Sequence, residues 1–287
     1  MPAQLLIYES AVPVAQARHG RWSVEVGADY AFTKSVNSVP LTAVEFSNAA
    51  REYAIVFAGT GDTVVPAVIL GMRADENLYL TGQGGWRAKY IPAFVRRYPF
   101  VFASSEDGKT FTLCIDESFR GVNQEGRGQR LFNDERKPTP YVENVLKFLE
   151  QYQVEYRRTE VLCKKLRELN LLEPMRAQFD LGSGERLALT GFMAVARDRI
   201  KTLGVDTLAE LVRTDQLELI YLHLQSLRNF SAMSERLTGG AATPGEQLHG
   251  LDSGEGAGEG ATAEKAKPSA QEQAAKTTKQ RAAKQEK

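Results

Sequence analysis

The sequence predicts a soluble α+β protein, with a β-rich N-terminal half, one long central helix, then a C-terminal hairpin and short helices. Three observations carry that reading. Residues 1 to about 135 hold short runs of β-formers broken by glycine turns. Residues 140 to about 169 repeat apolar side chains every three or four positions. Beyond Thr238-Gly239-Gly240 large apolar residues almost vanish. Such a segment cannot bury enough surface to offset the entropy of ordering, so the expected division is a folded domain over 1–238 and a disordered low-complexity tail over 239–287.

In chain order, Thr42-Ala43-Val44-Glu45 fits a capping box that starts a helix running to about Arg51. Tyr53 to Ala58 and Thr63 to Leu70, separated by Gly59-Thr60-Gly61-Asp62, predict a hairpin. Asn77 to Thr81 predicts a short strand before Gly82-Gln83-Gly84-Gly85-Trp86, a tight turn under an aromatic. Tyr98 to Ala103 and Thr110 to Asp116, around Glu106-Asp107-Gly108, predict a second hairpin. Thr139 is placed to cap the long helix and Pro140 suits its first position. That helix should be about 45 Å long. Its stripe is Val142, Val145, Leu149, Tyr152, Tyr156, Thr159, Cys163 and Leu166. The stripe reads as a core face, with pairing to a second copy of the chain as the alternative. Strands follow over Met175–Leu181 and Arg186–Val195, then helices at Asp198–Leu203 and Thr207–Arg213. A last helix over Gln216 to Arg236 should be capped by Asp215.

Composition excludes several function classes. The 36 basic and 36 acidic residues leave no global field for nucleic acid or anionic lipid. The longest apolar run, Val64 to Met72, falls far short of the roughly 20 residues of a membrane helix. Met1 to Glu9 has no basic region ahead of a long apolar core, so no cleaved secretory signal is expected and the cytoplasm is the expected compartment. Cys114 and Cys163 read as two buried free thiols.

Chemistry-bearing patterns are sparse. No Gly-x-Ser-x-Gly elbow, phosphate loop, dinucleotide fingerprint or Cys/His metal spacing occurs, so no metal or cofactor is expected. His19, beside Arg18 and Arg21, reads as an exposed turn residue, and His223 as a boundary residue of the last helix. The catalytic candidates are Asp116, a carboxylate at a strand end, and His223 as a base. The densest unusual segment is Trp86 to Phe100, which interleaves four cations with five aromatic side chains. Its ligand-binding candidates are Trp86, Arg96, Arg97 and Tyr98, which could stack on rings or grip acidic groups; the competing reading is a core connection.

Leu41-Thr42 to Phe46, Arg51 to Phe57, Tyr90-Ile91-Pro92, Arg96 to Phe100, Leu113 to Asp116, Gln129 to Phe132 and Leu219 to Asn229 resemble the bacterial SapC family. The resemblance runs from about residue 5 to about residue 232 and leaves the tail outside. It implies a link to paracrystalline surface layers, reached by export without a cleaved signal, and an envelope or protein partner. It supplies no catalytic residues. The peptide-import permease of the same name is excluded, because its membrane helices are missing here. The expected function is a non-enzymatic binding or structural protein. The alternative is a cytoplasmic small-molecule or peptide-modifying enzyme holding an acidic group on Arg96 and Arg97.

Overall fold

In the five-stranded antiparallel sheet of the computed structural model, the order is β10 (Leu172–Asp180), β11 (Arg186–Val195), β4 (Ile55–Thr60), β5 (Thr63–Ile69), β3 (Ser38–Pro40). The structure describes residues 6–60, 63–105, 108, 110–180 and 186–237. All of them fall in the first of two units into which the chain divides, Met1–Leu251. The 239–287 tail and parts of the three expected hairpin turns lie outside the described residues.

The other strands form two smaller antiparallel groups. β1 (Ala11–Pro13), β7 (Phe111–Asp116) and β6 (Phe100–Ser104) make one sheet, with Ala11 opposite Asp116 and Phe100 opposite Ile115. β2 (Ser23–Val24) lies between β8 (Val122–Asn123) and β9 (Gln129–Arg130). The two hairpins, β4–β5 and β6–β7, therefore form where alternating β-formers and glycine turns place them. The expected strand over Asn77–Thr81 is absent. Asn77 accepts the Tyr79 amide on Oδ1 and donates to Thr33, and only Leu80 bridges to Trp86. A side chain that captures its own backbone competes with the strand ladder.

The helices are α1 (Gln16–His19), α2 (Phe46–Ala49), α3 (Ala93–Arg96), α4 (Pro140–Glu168), α5 (Arg197–Lys201), α6 (Val205–Arg213), α7 (Gln216–Ser226) and α8 (Asn229–Leu237). α4 buries Val142, Leu149, Tyr152, Thr159, Leu162, Cys163 and Leu166, so its stripe is a core face, packed on β5, β6 and the 3-10 turn Ala43–Glu45. Thr139 makes no capping bond; its hydroxyl donates to Arg130 O. Asp215 is left-handed and does not cap α7 through its side chain. The capping-box helix is shorter than expected, a 3-10 turn running into the four residues of α2.

The expected last helix divides after Ser226. Ser226 Oγ accepts the Ile55 amide and donates to His223 O, and Asn229 Nδ2 donates to Ala50 O and Tyr53 O. These bonds tie the break to the start of β4, through partners about 170 residues away in sequence that local pattern cannot reveal. Both cysteines are free and buried. Burial pushes the Cys163 thiol up to about 12. No described helix is long and apolar enough to cross a membrane.

Candidate functional site

The Trp86–Phe100 segment is fastened before it reaches any open space. Glu45 is buried, and its carboxylate accepts the Thr42 amide and hydroxyl, the Tyr90 hydroxyl at 2.8 Å and the Ala93 amide at 2.7 Å. Glu52 accepts the amides of Lys89 and Tyr90. The Trp86 indole donates to the Tyr53 hydroxyl at 2.7 Å, and that hydroxyl donates to Tyr90 O. A buried carboxylate is tolerable when its lone pairs have donors, and here Thr42 supplies two while the segment supplies the Ala93 amide and the Tyr90 hydroxyl.

Past Pro92 the segment turns through α3 and lines a cavity of ≈ 380 Å³. Its other walls are Tyr30 and Phe32, Phe119, and the N-terminal part of α4 from Tyr141 to Phe148. Gly84 helps to set the Tyr30 wall. Its φ of +82° favours glycine, an added Cβ would meet the Asp29 carboxylate at 2.2 Å, and Gly84 O accepts the Tyr30 amide. The Phe32 and Tyr98 rings stack at 4.1 Å, with Phe119 edge-on to Tyr98 at 5.2 Å. Burial pushes the Tyr141 phenol up to about 12, so it stays protonated at neutral pH.

Arg96 and Arg97 differ sharply. Arg97 is 3% exposed, with its guanidinium carbon 4.3 Å from the Phe94 ring centre, 5.0 Å from that of Tyr152 and 5.6 Å from that of Tyr8. Arg96 is exposed at the end of α3. Its Nε donates to Ile91 O at 2.9 Å, and its guanidinium lies 5.3 Å from Phe148 and 5.9 Å from Tyr90. Among the described residues no carboxylate pairs with it. The side chain is thus held from the protein side and its charge is open to the cavity.

Of the candidate residues, Arg96, Arg97 and Tyr98 line this cavity together. Trp86 stands behind its Tyr30 wall, edge-on at 5.6 Å. Asp116 reaches the same neighbourhood through the Tyr98 hydroxyl, 3.4 Å from Oδ2. Both its oxygens are already engaged: Oδ1 accepts the Ser10 and Ser118 amides and the Ser118 hydroxyl, and Oδ2 the Glu9 amide. Burial pushes this carboxyl up, but those hydrogen bonds together outweigh it and hold the carboxyl below its ordinary value.

His223 is wholly buried and belongs to a different neighbourhood. Its Nδ1 lies 2.9 Å from Ile55 O and its Nε2 accepts the Val195 amide at 3.0 Å. Nδ1 therefore carries the proton, and the ring clips α7 to β4 and β11. Burial pushes its pKa down to about 4, so it is neutral at ordinary pH. His19 is not an exposed turn residue: it is fully buried, Nε2 sits 3.0 Å from Glu117, and Glu117 also pairs with Arg18. Among the described residues no group of three His, Cys, Asp or Glu side chains is placed to hold a metal.

A family model described as SapC matches residues 14–233. The chain belongs to the SapC family. The span matched by the SapC model contains every residue that lines the cavity, together with Asp116 and His223. Comparison with curated proteins and with solved structures gives no match.

Proposed function

We propose that this SapC-family chain is a non-enzymatic binding protein of the bacterial envelope or surface layer, with the cavity beside Arg96 as its binding site. The observation that carries this reading is the contrast between the polar groups. The candidate bases, Asp116 and His223, spend their lone pairs on backbone amides and neighbouring hydroxyls. Arg96 is held on one side and has no described carboxylate partner on the other. A site with an oriented cation, and with Asp116 and His223 both engaged by other groups, is suited to holding an anion rather than to moving its protons. The alternative enzyme has less support, because it would need one of those two saturated groups as its base.

The link to surface layers comes from the family resemblance. The binding part is tested by incubating the full chain with small anionic compounds, following melting temperature and ligand spectra together. Stabilisation with every ligand unchanged is expected; steady conversion of a ligand would show an enzyme. The location is tested by fractionating native cells. Recovery in the envelope or at the cell surface is expected, whereas a purely cytosolic protein with no envelope partner contradicts it.

A further inference from the structure

The chemistry of the cavity narrows what it can hold. Its walls are mostly ring faces and edges, and its polar lining is confined to Asp29, Arg96, Arg97, the Asn144 amide and the tyrosine hydroxyls. Several of these are already spent. The Tyr98 hydroxyl leans on Asp116, Arg97 is buried among rings, and Asp29, at the exposed edge, already accepts the Ala31 amide on Oδ1 and keeps only Oδ2 open. A sugar brings several hydroxyls per ring, each needing a partner when taken from water, and this lining cannot supply them. An aromatic body needs none and gains from stacked and edge-on contacts.

The charge is equally specific. One accessible guanidinium faces the space, set between the Phe148 and Tyr90 rings with Nε tied to Ile91 O. A planar fork held in this way matches a planar carboxylate in shape and in donor geometry. At ≈ 380 Å³ the space lies near the lower end of ordinary ligand cavities, enough for one or two fused rings.

We propose that the cavity binds a one- or two-ring aromatic carboxylate, with the ring against Phe148 and the Phe32–Tyr98 wall and the carboxylate on Arg96. The inference rests on the binding reading above and names its ligand class. The test is calorimetric titration of the full chain with 2-naphthoate, its neutral analogue 2-naphthamide, acetate, phenyl phosphate and methyl glucoside. Naphthoate should bind at least tenfold tighter than the amide, and acetate should bind far more weakly than either. Arg96→Met should remove the advantage of acid over amide with the melting temperature unchanged. Phe148→Ala should weaken acid and amide alike. Equal binding of acid and amide to the wild type, or an advantage that survives Arg96→Met, overturns the proposal. Arg96-dependent binding of phenyl phosphate or glucoside in preference to naphthoate overturns the ligand class and leaves the binding reading standing. If none of the five binds and melting is unmoved by any of them, the cavity is not the site and both fall.

Discussion

Residues 86–92 and residues 93–98 are continuous in the chain and alike in composition, yet they meet their surroundings in opposite ways. In the first stretch the backbone and the ring polar groups are taken up by the protein: Glu45 accepts the Tyr90 hydroxyl, Glu52 the amides of Lys89 and Tyr90, and the Trp86 indole donates to Tyr53. In the second, rings and guanidinium line open space. The two neighbouring arginines show the difference in miniature, one enclosed by Phe94, Tyr152 and Tyr8, the other exposed against Phe148 and Tyr90. An anchored stretch is what allows the next six residues to hold a fixed shape around a cavity, since a binding group is only as well placed as the residues that support it.

Removing groups enclosed by the protein should cost stability, and changes at the exposed face of the cavity should not. The largest effect is expected for Glu45→Ala. It orphans the amides of Thr42 and Ala93 and the Tyr90 hydroxyl, so denaturant unfolding should show a loss on the order of 4 kcal/mol. Arg97→Ala should come next, at roughly 2–3 kcal/mol, from lost ring contacts and the space left behind. A loss below about 0.5 kcal/mol for either would show that the anchoring is not what holds the segment.

His223 provides a pH signature away from the cavity. Its folded-state pKa, about 4, lies below the ordinary histidine value, so the unfolded chain takes up the proton first as pH falls. Its contribution is fully present above about pH 6.5 and is lost toward pH 4, by roughly 1.4 kcal/mol per pH unit across that window. Unfolding measured from pH 7.5 to pH 4 should show this slope, and His223→Gln should flatten it. An unchanged slope would mean that another group carries the acid sensitivity. The smallest effect is expected for Arg96→Ala, within about 0.5 kcal/mol of the wild type, because an exposed residue with no ion pair contributes little to folding.

Much of the fold was legible in the sequence because it is local. The α4 stripe follows helical period, and the two hairpins follow β-formers and turn residues, so each could be read without knowing its neighbours. Two of the misreadings have their cause in distant partners. His19 looks like a turn residue until Glu117, 98 positions on, is brought against it. One helix becomes α7 and α8 because Ser226 and Asn229 bond to residues 50–55. The site was half legible. The mixture of cations and rings in residues 86–100 marked a segment that lines the cavity, but not which arginine faces outward. That depends on walls contributed by Tyr30 and Phe32, by Phe119 and by α4, three stretches that no single window of sequence contains.

The most direct test of the account is a nitrogen-15 NMR titration of the full chain with 2-naphthoate, following the Arg96 Nε signal and the amides of residues 93–98 and 141–148. The account predicts saturable shifts centred on Arg96 and Phe148, with the amides around Ile55 and Val195 unmoved. Shifts centred on the His223 neighbourhood, or no saturable shift at Arg96, would contradict it.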